Sequence, residues 1–402
     1  MHIVIVGASV AGIRTAQALR VGGFDGTITV VGDEPHSPYD KPPLSKEILD
    51  PASDRDSVSL IDADALASLS VDLRLGVRAT AVDIDGKLLS TDSLGQIAYD
   101  TLVIATGMRP RTLFAAEHFS NVYTIRSLDD SRAIRAELSR GRRAAVIGAG
   151  FIGAEFASAA RAHGVEVTLI EAQDAPMAAQ LSAEVGTALA ELHSHHGVEM
   201  ITGLQPHGFG GSTRATSVTL SDGRRVPADF VVVGIGATPA VEWLDTAGLV
   251  IDDGVRCDET LKALGCHDIY AAGDVAHWDH PMYGEPLRIE HWTNANDHAE
   301  IVAADILGTT APRPTLPYVW SDQYGHRIQI IGRPALGSPT IRTGAATHGD
   351  LVVGYTDADD VLVGALVVDN PRLLMKLRRA VLAGEHRHEA EATILEATPA
   401  AM

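Results

Sequence analysis

Two stretches of the chain repeat one pattern, in which an apolar run leads into a glycine-rich turn and an alanine-rich segment. They read VIVGASVAGIRTA at residues 4–16 and AVIGAGFIGAEFA at residues 145–157. Each is followed by a second apolar run, TITVV at 27–31 and VEVTLIEA at 165–172. A strand, a helix and a second strand in this order form a βαβ unit, which requires a parallel sheet. The repeat therefore predicts two parallel α/β domains.

The rest of the chain extends both domains and adds a third. Three more apolar runs stop at a glycine, at 99–107, 228–236 and 268–274. Prolines from residue 312 onward precede shorter alternating runs and a basic helical segment at 372–383. We therefore predict α/β architecture with two Rossmann-like dinucleotide-binding domains and an α+β C-terminal domain. The predicted boundaries are 1–110 with 240–315, then 111–239, and then 316–402.

The first glycine-rich turn has the spacing of a dinucleotide site with one departure. Gly7 permits a sharp turn from strand to helix, and Gly12 lets the helix pack closely on the strand. The helix N-terminus then faces a pyrophosphate. Ser9 replaces the middle glycine of the usual pattern, but its side chain is small. Asp33 and Glu34 end the next strand, where a carboxylate accepts hydrogen bonds from ribose hydroxyls. A plain tight turn is the alternative.

The second turn contains the complete pattern, with Gly148, Gly150 and Gly153, and Glu171 follows 18 residues after Gly153. A carboxylate at this position repels the 2′-phosphate of NADPH, and no Lys or Arg occurs between residues 161 and 214. We therefore expect NADH as the coenzyme. Asp274 in AAGD also ends a strand-like run, where it could accept hydrogen bonds from the ribityl hydroxyls of FAD. A Gly-Asp pair alone is more often only a turn.

Composition excludes several classes of protein. The net charge of −20 argues against nucleic acid or an anionic membrane as a partner. Two cysteines exclude a disulfide framework, a four-cysteine iron–sulfur site and a zinc ribbon. No apolar run approaches the ~18 residues that span a bilayer, and the chain opens directly into HIVIV, so we expect a cytoplasmic protein. We interpret His193, His195 and His196 as the end of a helix rather than as a metal site. No metal is predicted.

Ten motifs spread over nearly the whole chain carry a resemblance to a known family. They are GASVAG, VVGDE, YDKPPLSK, ATGMRP, TIRSLDD, IGAGFIGAE, VVVGIGATP, YAAGD, IEHWTNA and VWSDQY. With them the sequence resembles the NADH-dependent, FAD-containing ferredoxin reductases of oxygenase and cytochrome P450 systems. PPLSK and WSDQY are more specific than any glycine pattern. The resemblance implies a glutathione-reductase-like fold with FAD, NAD and C-terminal domains.

The same resemblance implies roles for individual residues. For FAD the implied residues are Gly7, Ser9, Ala11, Gly12, Asp33, Glu34, Lys46, Ala79, Thr106, Arg126, Asp274 and Trp292. For NAD they are Gly148, Gly150, Ile152, Gly153, Glu155, Glu171 and Gly236. Lys46 would lie against the flavin and Glu155 near the nicotinamide, paired with Lys46, which makes these two the predicted catalytic residues. A surface ion pair is the alternative. Thr293 is expected to be the N-cap of a helix that starts near Asn294.

Electrons must leave by a route that uses no thiol of this chain. Cys257 and Cys266 are nine residues apart and do not form the redox-cysteine motif of disulfide reductases, and we expect them to be small buried apolar side chains. The resemblance implies a small [2Fe–2S] ferredoxin as the acceptor. Since both proteins would be acidic, a local basic patch is required, and Arg372, Lys376 and Arg379 share one helix face. Two alternatives stay open: an NADH oxidase or small-molecule reductase, and a flavin-bearing interaction protein similar to apoptosis-inducing factor.

Overall fold

The computed structural model describes residues 1–54, 58–113 and 115–397. The chain divides into two compact units, each built from three segments of sequence. Unit 1 comprises Met1–Pro42, Ser57–Arg109 and Ala237–Thr315. Unit 2 comprises Pro43–Asp56, Pro110–Gly236 and Leu316–Met402. The division into three domains stays a prediction, and residues 398–402 of the predicted C-terminal domain lie outside the described residues.

The core of unit 1 is a five-stranded parallel sheet. In spatial order its strands are Ile269–Ala271, Thr101–Ile104, His2–Val6, Thr27–Gly32 and Asp72–Leu75. The central strands are continuous apolar runs because helices cover both faces of such a sheet. Helix Val10–Val21 packs along helix Trp292–Leu307, and a short helix spans Ala63–Ser68.

Two smaller sheets complete unit 1. One is antiparallel, with strands Ala79–Asp83, Leu88–Thr91 and Gln96–Ala98. The other is mixed, with strands Val255–Cys257, Ala276–His280 and Glu285–Leu287. The short strands Met108–Pro110 and Ala237–Pro239 lie where the sequence passes from one unit to the other.

Unit 2 begins with a second five-stranded parallel sheet. In spatial order its strands are Glu199–Ile201, Glu166–Ile170, Arg143–Ile147, Phe230–Val233 and Val122–Tyr123. The α-helices of this part are Leu128–Leu138, Phe151–Ala162, Ala178–Leu181 and Ala183–His195. An antiparallel sheet adds strands Pro206–Gly211, Ala215–Leu220 and Arg225–Pro227.

The C-terminal segment of unit 2 forms a five-stranded antiparallel sheet. Its strands in spatial order are Tyr318–Gln323, His326–Gly332, Leu362–Val368, Val352–Thr356 and Ser338–Thr343. Helices Pro371–Ala383 and Arg387–Ala397 follow it, and leucines of the first helix pack on the sheet. The predicted fold class, two parallel α/β sheets and an α+β C-terminal part, is confirmed.

Short 3₁₀ helices connect several of these elements. They span Pro42–Ser45, Ala116–His118, Glu242–Leu244, Gly273–Val275, Pro334–Leu336 and Ala346–His348. Among the residues described, no helix combines the length and the apolar character that crossing a membrane requires.

Candidate active site

The first glycine-rich turn of unit 1 admits only glycine at two of its positions. Gly7 has a φ of +123°, and a Cβ there would lie 2.1 Å from the carbonyl oxygen of Ala105. A Cβ on Gly12 would lie 1.8 Å from the carbonyl oxygen of Gly7. Ser9 is the N-cap of helix Val10–Val21, but its hydroxyl makes no capping hydrogen bond. The turn thus packs the helix N-terminus closely on the strand end. A helix N-terminus in this arrangement presents free backbone N–H groups that can bind an anion.

The two predicted acids after the next strand differ in their surroundings. Glu34 accepts a hydrogen bond from the Lys41 ammonium at 2.6 Å and another from the Tyr39 hydroxyl. Asp33 is exposed to solvent. Since an ionised carboxylate has about four acceptor sites, a ribose hydroxyl could still donate to either acid.

The strand-end segment that contains Asp274 meets this same turn. Gly273 has a φ of +76°, and a Cβ on it would lie 2.9 Å from the Cβ of Ala11. The Gly273 N–H donates to Nδ1 of His298 at 3.1 Å, and the His298 ring is fully buried. Burial lowers the pKa of His298 to about 3, so the ring is neutral near pH 7. Sequence reasoning missed His298, because nothing local marks it as the partner of a residue 25 positions away.

The other predicted residues of unit 1 have structural partners. Ala79 is buried at the start of a strand, and the Thr106 hydroxyl donates to the carbonyl of Ala240 at 2.8 Å. The Trp292 indole N–H donates to the Asp40 carboxylate at 2.7 Å.

The predicted N-cap of the last helix of unit 1 is wrong by two residues. The helix begins at Trp292, and His291 rather than Thr293 is its N-cap. The His291 backbone is extended, and its carbonyl already accepts the N–H of Ala295 at 3.1 Å, which is the first hydrogen bond of the helix. Side-chain type favoured Thr293, but backbone geometry determines the cap.

The second glycine-rich turn, in unit 2, repeats the geometry of the first. A Cβ on Gly148 would lie 2.2 Å from the carbonyl oxygen of Gly234, and one on Gly153 would lie 2.0 Å from that of Gly148. Gly150 is different, because no atom lies within 4 Å of the place where its Cβ would be. Gly150 is also the N-cap of helix Phe151–Ala162. The turn therefore combines open space with a helix N-terminus, as a pyrophosphate requires.

The remaining predicted residues of this turn lie at strand ends or on the surface. The Glu171 carboxylate accepts the N–H of Ala149 at 2.8 Å and that of Gln173 at 2.9 Å. It is therefore fixed beside the glycine-rich turn. Ile152 is 40% exposed, and Gly236 is exposed with a φ of +87°.

Lys46 and Glu155, the predicted catalytic pair, contact each other inside unit 2. The Lys46 ammonium lies 3.0 Å from Oε2 of Glu155, whose side chain is only 3% exposed. The Ser45 hydroxyl donates to the same oxygen at 2.5 Å, and the Ser321 hydroxyl donates to Oε1 at 2.8 Å. The alternative of an ordinary surface pair does not describe this arrangement, because the carboxylate is buried.

The charge of Glu155 depends on opposing effects. Burial raises the pKa of its carboxyl, whereas the Lys46 charge and the hydrogen bonds from Ser45 and Ser321 lower it. The segment that carries Ser45 and Lys46 is fixed by a hydrogen bond at 2.9 Å from the Ser131 hydroxyl to the carbonyl of Leu44. Sequence reasoning used WSDQY only as a family motif and did not foresee that Ser321 contacts Glu155.

Arg126 also lies in unit 2, half-buried, one residue before the N-cap Ser127 of helix Leu128–Leu138. Its N–H donates to the Asp130 carboxylate at 3.0 Å. Lys46 and Arg126 thus belong to unit 2, whereas the other residues predicted to bind FAD belong to unit 1.

Comparison with known proteins identifies the family. Residues 1–299 match the pyridine nucleotide-disulphide oxidoreductase family, and residues 318–397 match the reductase C-terminal family. The chain is 37% identical to the ferredoxin–NAD(+) reductase component of the p-cumate 2,3-dioxygenase system of Pseudomonas putida, over 94% of this chain and 92% of that protein. It is 36% identical to rhodocoxin reductase of Rhodococcus erythropolis, over 96% and 90% of the two chains. The chain belongs to the ferredoxin–NAD(+) reductases of this family.

A solved structure agrees with this assignment for the reductase. It is a covalent putidaredoxin reductase–putidaredoxin complex, with a TM-score of 0.91 and 31% identity over 100% of this chain and 99% of that one. The prediction of a ferredoxin reductase family that uses FAD and NADH is therefore confirmed at the level of the family.

The cysteines and the histidine run of the reductase differ in burial, since Cys257 and His193 are buried and His195 is exposed. Cys257 is fully buried and Cys266 partly buried, both are free thiols, and burial raises the pKa of each. His193, His195 and His196 lie at the end of helix Ala183–His195, where His193 is 2.7 Å from the Tyr324 hydroxyl. Among the described residues, no group of three or more His, Cys, Asp or Glu side chains is arranged to hold a metal ion.

The predicted basic face forms on the helix Pro371–Ala383 of the reductase. Arg372, Lys376 and Arg379 are all exposed, while the opposite face of the helix is buried. Within the described part of the chain, none of these three cations has an acidic partner within ion-pair distance.

Proposed function

We propose that the protein transfers electrons from NADH, through bound FAD, to a small [2Fe–2S] ferredoxin that serves an oxygenase or cytochrome P450. One observation carries the proposal: two strand–helix turns with the geometry of dinucleotide sites occur in a chain that also buries a Lys46–Glu155 pair. Bound FAD supplies the hydride acceptor for NADH and the single-electron donor for the ferredoxin. The names of the relatives support the same activity.

The residues of unit 1 fit the requirements of FAD. The N-terminus of helix Val10–Val21 would bind the pyrophosphate, assisted by Ser9. Asp33 would accept hydrogen bonds from the adenosine ribose, and Asp274, adjacent to Ala11 through Gly273, would accept them from the ribityl chain. Ala79, Thr106 and Trp292, together with Arg126 of unit 2, remain proposed FAD residues by resemblance.

The residues of the second turn fit NADH. The open space at Gly150 receives the pyrophosphate, and the fixed carboxylate of Glu171 accepts hydrogen bonds from the adenosine ribose. Ile152 and Gly236 remain proposed contacts by resemblance. Since Glu171 is an acid and the next 42 residues contain no Lys or Arg, the 2′-phosphate of NADPH would meet repulsion without a compensating cation.

Lys46 and Glu155 act as one unit in this proposal. Lys46 carries a positive charge that stabilises negative charge developing in the hydride-accepting group. Glu155 orients the ammonium through its 3.0 Å ion pair, and the hydroxyl of Ser45 keeps the shared oxygen in place. Removing Glu155 would therefore leave Lys46 charged but poorly oriented.

Spectroscopy and turnover test the function directly. The purified protein should be yellow, its flavin should bleach on anaerobic mixing with NADH, and a ferredoxin from the same source should then be reduced. Absence of the chromophore, or a flavin that stays oxidised with NADH, would refute the proposal. Equal NADH consumption with oxygen or a quinone and no ferredoxin would favour an oxidase. Very slow reoxidation by every carrier would favour an interaction protein.

The docking surface is tested by charge reversal. Lys376→Glu and Arg379→Glu should each raise the KM for ferredoxin about fivefold at low salt, the size of one exposed ion pair. NADH-to-ferricyanide turnover should not change. Arg140→Glu is the matched control, because Arg140 is exposed elsewhere in unit 2 and the substitution changes the net charge equally. An equal rise in KM for the control would place docking elsewhere.

A cytoplasmic location is part of the proposal. Both cysteines are free thiols, as is usual for proteins of reducing compartments. Fractionation of the producing cells with an antibody against the protein tests this location.

A further inference from the structure

The carboxylate of Glu155 is held from two sides. Oε2 contacts Lys46 and Ser45, whereas Oε1 accepts a hydrogen bond from Ser321 at 2.8 Å. Gln323 lies two residues after Ser321 on the same buried face of the strand Tyr318–Gln323. Its Nε2 donates to the Ser321 hydroxyl oxygen at 3.0 Å. A relay of hydrogen bonds therefore leads from Gln323 through Ser321 to Glu155.

The direction of this relay favours a charged Glu155. A serine hydroxyl has one proton to donate. Because the Ser321 oxygen accepts from Gln323, its own proton is directed at Oε1 of Glu155. A hydrogen bond donated to a carboxylate stabilises the ionised form over the protonated form.

The other end of the Gln323 amide has no such partner. Within the described residues, the buried Oε1 of Gln323 accepts no hydrogen bond. A half-turn of the amide would bring Oε1 to Ser321, and the Ser321 proton would then be donated to Gln323. Ser321 could in that case only accept from Glu155, which requires a proton on Glu155. The amide orientation and the protonation state of Glu155 are thus linked.

The residues that follow Gln323 form a tight turn with contacts of its own. Tyr324 and Gly325 form the two-residue turn of the hairpin, with φ values of +53° and +85°. The Tyr324 N–H donates to the Ser158 hydroxyl at 2.7 Å, and its ring stacks on His196 at 4.1 Å.

We propose that Ser321 and Gln323 are positioning residues that keep Glu155 ionised beside Lys46, and that a half-turn of the Gln323 amide accompanies protonation of Glu155. The relevance to hydride transfer rests on the proposed function, whereas the link between amide and proton does not.

The charged surroundings of Glu155 are simple. Helix Phe151–Ala162 packs against the strands Tyr318–Gln323, Glu166–Ile170 and Arg143–Ile147 and against helix Ala183–His195. The titratable residues of these five elements besides Glu155 are Arg143, Arg161, Glu166, Glu184, Glu191, His193, His195, Tyr318 and Asp322. In the described chain, Lys46 is the charged group that contacts the carboxylate. Burial, which raises the pKa of Glu155, is therefore opposed by the Lys46 charge and by the hydroxyl donors.

Infrared titration of the FAD-loaded protein tests the proposal without turnover. The band of the protonated Glu155 carboxyl is assigned by its absence in Glu155→Gln. Ser321→Ala should raise the proton-binding constant of Glu155 about 10- to 100-fold, the range of a hydrogen bond to a charged group. Gln323→Leu should raise it in the same direction by less, because it changes only the orientation of the Ser321 proton. Ser321→Thr keeps the hydroxyl and should restore the titration.

A double variant separates this relay from a general effect on folding. If Gln323 acts through Ser321, Gln323→Leu should change nothing further in the Ser321→Ala background. Gln329→Leu is the control, since Gln329 is a buried glutamine of the adjacent strand that bonds Tyr318 and not Ser321. An unshifted titration in Ser321→Ala, or an equal effect of Gln323→Leu with and without Ser321, would overturn the proposal.

The pH profile of flavin reduction by NADH then connects the relay to function. In each variant the acid limb of this profile should shift to higher pH. The proton-binding constant read from it should rise by the same factor as the constant measured by infrared titration. A protein whose flavin is not reduced by NADH refutes the proposed function but leaves the infrared result valid. A reducible flavin with an unshifted titration refutes only the relay.

Discussion

Acid should destabilise unit 1 through His298. The ring is fully buried, and its Nδ1 accepts the Gly273 N–H, so Nε2 must carry the proton of the neutral ring. Within the described residues Nε2 has no hydrogen-bond partner. A second proton on Nδ1 would remove the acceptor for Gly273 and place a charge in an apolar core. Burial accordingly lowers the pKa of His298 from 6.5 to about 3.

The sign and size of the effect follow from this pKa. Below pH 6.5 the unfolded chain protonates His298 and the folded chain does not, so the free energy of unfolding falls as the pH falls. The fall continues until the pH reaches the folded pKa, at about 1.4 kcal/mol per pH unit. Between pH 7 and pH 5 His298 alone should lower the free energy of unfolding by about 2 kcal/mol.

The test compares the pH dependence of wild type with that of His298→Asn. The Asn oxygen can replace Nδ1 as acceptor for Gly273 but does not titrate. Urea unfolding is followed by tryptophan fluorescence, since the Trp278 ring centroid lies 4.8 Å from that of His298. The loss of stability between pH 7 and pH 5 should be about 2 kcal/mol smaller in the variant. His267→Asn, at an exposed histidine of unit 1, should behave like wild type. Identical pH dependence in wild type and His298→Asn would refute the reasoning.

Three substitutions in or beside the second turn give separate outcomes. Gly153→Ala should prevent normal folding of unit 2, measured by circular dichroism and thermal melting, because its Cβ would lie 2.0 Å from the Gly148 carbonyl oxygen. Gly150→Ala should have the melting temperature of the wild type, because its Cβ enters open space. It should nevertheless raise the KM for NADH about tenfold or more, because the added methyl group occupies the space proposed for the pyrophosphate. Glu171→Ala should lower the ratio of kcat/KM with NADH to kcat/KM with NADPH by roughly tenfold, because it removes one charge that repels the 2′-phosphate. An unchanged ratio would show that Glu171 does not select the coenzyme.

The sequence predicted those features that depend on neighbours along the chain. The strands His2–Val6 and Arg143–Ile147 and the turns after them follow from local apolar runs and from glycines that no other residue can replace. The Lys46–Glu155 pair was predicted only because the motifs resembled a family. Side-chain partners distant in sequence were not predicted: 166 residues separate Ser321 from Glu155, and no periodicity reports such a contact.

A smaller discrepancy has the same origin. The side chain of Thr293 favoured a cap that the backbone places at His291. The residue type was suited to a cap, but the backbone conformation determined its position.

The interleaving of the two units has a consequence for biosynthesis. Lys46, Glu155 and Ser321 come from three different segments of unit 2, separated by stretches that belong to unit 1. A ribosome emits the polypeptide from its N-terminus, so both glycine-rich turns emerge long before Ser321 does. A nascent protein halted before residue 316 would contain both glycine-rich turns but would lack Ser321, the donor to Oε1 of Glu155. Assembly of the charged centre is thus among the last events in the maturation of this polypeptide.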